Sequence, residues 1–335
     1  MKKTIGVLLV MVVAGCASHP KYDPKIPAPT PPVAAAPKYS PRPIDPKLRA
    51  EAIAELMSET NSPDPFLRSN AIEALSDVDP SDAANAVLTG LHDPDAPVRF
   101  AAAMAAGQMK LVDAYEPLRA MAYDPNLRVQ AGVRFALYRL GDTRLSHDLE
   151  KLAEAPDPHV RATVAMVLGF LKNPSATPML VRLLSDLVPA VRLEAAEALW
   201  RLGDERGLTY LVAYSISAYP DDQMVALQAL AETGDQRVIQ HIRGELTNDY
   251  VEVSLAAARG MGMLGSDEGW NIAVPAASSK DPRQRSLAAL AMGAIGRSDL
   301  QGYLADLLKD PQAEVRISAA TGILQLRAPT VSNAY

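Results

Sequence analysis

Cysteine is almost absent: Cys16 is the only one in 335 residues. A single thiol excludes disulfides and any thiolate metal cluster. The five histidines are scattered, with no zinc-ligand spacing among them. The chain has no basic run, and its formal charge is −6, so nucleic acid is not an expected partner. The longest nearly unbroken apolar run, Ile5 to Val13, is well short of the roughly 20 residues a spanning helix needs. There is no glycine-rich phosphate loop, no Gly-x-Ser-x-Gly and no His-Glu-x-x-His. No enzymatic activity, cofactor or metal is therefore expected.

What the chain does have is repetition. One column recurs at a constant interval without insertion: Leu67, Val98, Val129, Val160, Val191, Asp222, Val253, Gln284 and Val315. Counted from that column, offsets 4, 7, 8 and 11 are small or apolar in almost every copy, as in Ala195, Ala198, Leu199 and Leu202. Offsets of 0, 4, 7, 8 and 11 share one side of an α-helix. Asp-Pro pairs precede many copies (Asp93, Asp124, Asp157, Asp281, Asp310), where aspartate can cap a helix and proline is tolerated in the first turn. Gly141, Gly203, Gly234, Gly265 and Gly296 follow the last apolar position, where a left-handed residue ends a helix. A second series, including Leu56, Val87, Leu118, Leu149 and Leu180, keeps the same period between the copies. Each unit is thus a helical hairpin that must stack on its neighbours to bury its apolar side.

The motif Asp-Pro-x-x-x-Val-Arg-x-x-Ala-x-x-Ala-Leu-x-x-Leu-Gly is clear over Asp93 to Gln108 and over Asp310 to Leu326. It resembles the short HEAT-like repeat of the phycobilin lyases, over residues 47–327. The resemblance implies an all-α fold, an α-solenoid of about nine two-helix repeats. It also implies that the arginines one position after the first column, Arg99, Arg161, Arg192 and Arg316, are inter-repeat fasteners. Gln223 and Ser254 fall in that column, so the ladder should be interrupted in the sixth and seventh units.

Residues 1–15 combine Lys2 and Lys3, a short apolar run and small residues, which reads as an export signal. Its end, Val13-Ala-Gly-Cys16, resembles the lipobox of bacterial lipoproteins. That implies an acylated Cys16 as the membrane attachment, at the cell envelope. Ala17 in the next position points to the outer membrane, with the protein facing the periplasm. Residues 16–46 are a proline-rich linker, residues 47–327 the solenoid, and residues 328–335 a loose tail. The polar residues Asn70, Glu73, Ser76 and Asp77 suit an end cap on the first unit, and Ser318, Thr321 and Gln325 suit one on the last.

Opposite the core columns lie offsets 2, 6 and 9, expected to form the concave wall. This wall is poor in charge. Two readings stand. In one, small residues permit tight curvature and the large ones pack on each other. In the other, Phe100, Met104, Phe135, Tyr138 and Trp200, with Arg134, Arg139, Glu197 and Arg201, form a docking groove for a helix or extended peptide of another protein. The function expected is a protein-binding scaffold or adaptor. The alternatives are a lyase-like or chromophore-handling enzyme and a structural spacer. In the sixth unit Asp222 occupies an apolar column, which reads as a frayed repeat with a locally altered bend; the alternative is a cation held by the adjacent carboxylates of Asp221 and Asp222.

Overall fold

In the computed structural model, the described residues are 44–78, 80–144 and 148–326. The export signal, Cys16, most of the linker and the tail lie outside them. The described residues hold eighteen α-helices and no strand, which is the expected α-solenoid of helical hairpins. In chain order these are α1 (Pro46–Glu59), α2 (Pro65–Leu75), α3 (Pro80–Gly90), α4 (Ala96–Met109), α5 (Tyr115–Ala120) and α6 (Leu127–Arg139). Next come α7 (Asp148–Leu152), α8 (Pro158–Leu171), α9 (Thr177–Leu183), α10 (Pro189–Arg201), α11 (Glu205–Ser215) and α12 (Pro220–Glu232). The last six are α13 (Ile239–Gly244), α14 (Val251–Met263), α15 (Trp270–Ala276), α16 (Pro282–Ile295), α17 (Gln301–Leu307) and α18 (Ala313–Gln325). Odd-numbered helices open the repeats, and even-numbered helices carry the recurring motif.

The core columns behave as their spacing requires. Val98, Val129, Val191, Val253 and Val315 are fully buried, as are the column residues four positions on, Ala102, Val133, Ala195, Ala257 and Ala319. The second series is buried too, with Leu56, Val87, Leu118, Leu180 and Leu211 at 0% exposure. Gly203 ends α10 with φ of 80°, a left-handed value that a side chain resists. Lys172, with φ of 52°, fills the same role after α8.

The Asp-Pro pairs divide into two kinds. Asp157 and Asp281 are N-caps whose carboxylates accept from the His159 and Arg283 backbone N–H groups. Asp93, Asp124 and Asp310 stand further from the helix and do not cap it. Each bonds an arginine of the preceding repeat instead.

The solenoid forms two compact units by its internal contacts. One comprises residues 57–217; the other comprises residues 218–326 together with those up to Leu56. The division falls inside the sixth repeat, between α11 and α12. The end caps expected from polarity hold in part: Asp77 is exposed and Asn70, Ser76 and Gln325 are half-buried, whereas Glu73, Ser318 and Thr321 are 8%, 1% and 4% exposed. Thr321 Oγ1 donates to the Ile317 carbonyl within its own helix, which lets a hydroxyl lie in the core.

Candidate functional site

The arginine column is a ladder. Arg161 donates from Nε and Nη2 to Asp186 at 2.7 and 2.9 Å, a bidentate fork across one repeat. Its Nη1 holds the carbonyls of Ala155 and Pro156, so one side chain fixes its own loop and the next. Arg68–Asp93, Arg99–Asp124 and Arg285–Asp310 repeat the arrangement at the same separation along the chain. The Arg161 guanidinium holds the Asp186 carboxyl below the usual carboxylate range, against the opposing effect of burial. Where the arginine is absent, so is the aspartate. The residue 25 positions after Gln130 is Ala155, and the one 25 positions after Ser254 is Ser279. Gln223 accepts from Asn248 at 3.3 Å, a neutral rung. The ladder thus lacks an ion pair in the sixth and seventh repeats, as the column implies, and in the third as well.

Arg192 is the exception. It grips the Asp186 and Leu187 carbonyls of its own loop, but Ser217 occupies the position where its aspartate would stand. That serine is also the last residue of the first compact unit. Its backbone N–H bonds the Tyr214 carbonyl in the same turn by which Asp186 bonds Leu183. Ser217→Asp should therefore complete the missing rung. We expect a gain of about 1 kcal/mol, an apparent Tm increase of roughly 2–4 °C by calorimetry. No gain, or no further loss when Arg192→Ala is added to the aspartate variant, would show that the turn does not present a rung.

The nine residues proposed for a docking groove all lie in the first compact unit, and two of them, Glu197 and Arg201, pair directly. Phe100, Met104, Arg134, Phe135, Glu197 and Trp200 are between 1% and 4% exposed. Tyr138, Arg139 and Arg201 are half-buried. Phe135 packs edge-on against Phe170, with ring centroids 6.2 Å apart, and Arg201 stacks on Phe170 at 4.0 Å. Glu197 pairs with Arg201 at 2.5 Å, one helical turn on. Arg134 reaches Asp148 at 3.1 Å and the carbonyls of Ala122 and Gln130. Arg139 Nε reaches the Gly107 carbonyl at 3.4 Å. The Phe135 ring lies 2.7 Å from where a Cβ at Gly107 would stand, and Phe100 lies 2.9 Å from the same point at Gly132. The glycines let neighbouring second helices approach until the aromatic rings fill the wall. Six of the nine residues are thus buried within their own chain.

Sequence reasoning missed two parts of this wall. Phe170, at offset 10, is its aromatic centre and sat outside the three columns read as concave. Arg128 donates to Thr163 Oγ1 at 3.0 Å and lies 5.6 Å over the Phe100 ring. Burial pushes its guanidinium pKa down, opposed by Asp157 and Glu194. Asp221 is an ion-pair partner of Arg283, two repeats ahead, rather than a cation ligand. Among the described residues no cluster of His, Cys, Asp or Glu is arranged to hold a metal, and no helix is long and apolar enough to cross a membrane.

A different surface is apolar and open. Among the described residues seven large apolar side chains are exposed. Six of them sit on the loops joining the first and second helix of a repeat, or in the first turn that follows. In residues 57–217 these are Phe66 (49%), Tyr123 (79%), Leu127 (38%), Leu187 (95%) and Ile216 (64%). Tyr219 occupies the same kind of loop in the other unit.

Helical hairpins at a fixed period, with second helices packed on one another within each compact unit, define an α-solenoid. A family model of HEAT repeats matches residues 45–138, 146–231 and 239–325, well over half the chain, and the chain belongs to that family. Among solved structures it is similar to the complex of CpcE and CpcF of phycocyanin lyase from Nostoc sp. PCC7120, at 22% identity over 78% of this chain and 98% of that one, with a TM-score of 0.45. It is also similar to human deoxyhypusine hydroxylase in complex with glycerol, at 19% identity over 83% and 96%, with a TM-score of 0.37. At these identities the likeness is one of fold. No curated protein matches the chain.

Proposed function

We propose that this HEAT-repeat protein is a protein-binding scaffold held at the bacterial cell envelope by a lipid on Cys16. The lipid would anchor it in the outer membrane, facing the periplasm. The observation that carries the binding role is the row of large apolar side chains on the loop edge of residues 57–217. Leu187 at 95% exposure and Tyr123 at 79% stand largely in solvent. Apolar groups gathered on one edge are a mark of interaction surfaces. Behind them the ladder and the buried wall residues give a stiff support, which lowers the ordering entropy lost on binding. The partner is a protein that offers an apolar helix or extended segment.

Crosslinking in intact envelopes tests the proposal. Tyr123→Asp combined with Leu187→Asp should remove a crosslinked species that wild type forms, with the helical content unchanged. The same crosslinked set in variant and wild type would end the loop-edge assignment. Trp200→Ala with Phe135→Ala addresses the inner wall, and selective loss of the species in that folded variant would move the site there. For the anchor, Cys16→Ser should abolish acyl labelling and release the protein from membranes; retained label would refute it.

A further inference from the structure

The helix that opens the array and the repeat that closes it are neighbours. Arg316 belongs to the ladder column and, like the others, holds its own loop through the Asp310 and Pro311 carbonyls. Its carboxylate partner does not lie in a following repeat. It is Glu55, far back at the start of the array, at 2.5 Å. Two further bonds join the same elements. The Asp45 backbone N–H donates to Gln301 Oε1 at 3.1 Å, and Gln301 is itself fully buried with its Nε2 donating to the Ser298 carbonyl. Arg49 donates to the Leu324 carbonyl at 3.3 Å, satisfying an acceptor in the last turn of α18. The α1 residues Leu48, Ala52 and Leu56, spaced four apart on one face, are 6%, 0% and 0% exposed. In the ninth repeat Val315, Ala319 and Ala320 are at 0%, as in the interior repeats.

Residues up to Leu56 group with residues 218–326, whereas the chain that follows Leu56 groups with the other unit. The joint between α1 and the ninth repeat therefore has no short covalent link. Packing and polar contacts such as these hold it, and any chain carrying the same helix presents the same chemistry. From this we infer that the ninth repeat bears a helix-docking surface, which residues 45–56 fill within one copy and which the same residues of a second copy can fill in exchange. Two copies that trade this helix satisfy every contact twice, in a closed two-fold arrangement. Within one copy the effective concentration of the helix favours self-docking, so exchange shows itself once self-docking is blocked.

Charge reversal separates the two modes. In the full chain with Cys16→Ser, which removes the only thiol, Glu55→Arg sets two like charges at the joint, and so does Arg316→Glu. Each variant alone should be a monomer by sedimentation. In an equimolar mixture each copy meets an opposite charge on the other at both joints, so the expected result is a 1:1 dimer, a doubling of mass. The combined Glu55→Arg/Arg316→Glu variant should be monomeric with the wild-type Tm, because opposite charges are restored within one chain. A mixture that stays monomeric would overturn the inference. So would single variants that keep the wild-type Tm, since the ion pair would then contribute nothing to the joint. If the single variants lose helical content, mixing must restore it in a dimer, and failure to do so counts against the inference equally.

Discussion

Gly293→Val should lower the stability of the C-terminal repeats by about 3 kcal/mol, read as an early transition in calorimetry or urea titration. A Cβ at Gly293 would stand 2.4 Å from the Gly322 Cα and 2.8 Å from its carbonyl oxygen, so α16 and α18 meet backbone to backbone. Nothing flexible is there to yield, and the helices would have to part. Intrinsic propensity works in the opposite direction, since leaving glycine favours a helix by up to about 1 kcal/mol. Gly244, at the end of α13, gives the matched control, because nothing lies within 4 Å of its missing Cβ and its φ is an ordinary −58°. Gly244→Ala should raise stability by about 0.5–1 kcal/mol. Opposite signs at the two sites would show that helix contact, not propensity, fixes the glycines of this column. A stabilised Gly293 variant would mean that the helices do not approach as described.

Arg161→Ala should destabilise by about 2–3 kcal/mol, and Arg192→Ala, one repeat on, by only about 1 kcal/mol. Both side chains hold two carbonyls of their own loop. Arg161 alone also forks onto an aspartate, and its removal would leave the Asp186 carboxylate, 9% exposed, without its counter-ion. The pair is not fully buried, which places the loss below the usual figure for a buried ion pair broken on one side. Arg161→Lys should not rescue, because an ammonium cannot reproduce the planar fork. A double-mutant cycle with Asp186→Ala isolates the rung, and a coupling near zero would show that it adds nothing beyond the loop contacts.

The repeat was legible because its period never slips from Leu67 to Val315, so each column could be read nine times over. The ladder was half legible. The arginines stood out in one column, but three of their partners lay among Asp-Pro pairs of two kinds, one nearer the first column and one further from it, and the fourth, Asp186, precedes a leucine. Only the further kind bonds across repeats, as Asp93 and Asp310 do and Asp157 does not. The joint variation of the arginine and aspartate positions carried that signal. The inner wall was legible as a face but not as a surface. Whether Phe135 and Trp200 meet solvent depends on how closely the helices approach, which turns on small groups such as Gly107. The contact of α1 with the ninth repeat left no periodic trace, because it joins the two ends of the array. Polarity alone placed Ser318 and Thr321 in an exposed cap, whereas both are buried.

The chain has two tryptophans, the buried Trp200 in the wall and the half-buried Trp270 beside Arg297. Acrylamide quenching of the Trp270→Phe variant reads the wall alone. If residues 57–217 form a solenoid whose inner face is closed on itself, Trp200 should be strongly protected until the protein unfolds. Quenching in the folded state as fast as that of a solvent-exposed tryptophan would show an open groove, and the account of the wall would fall.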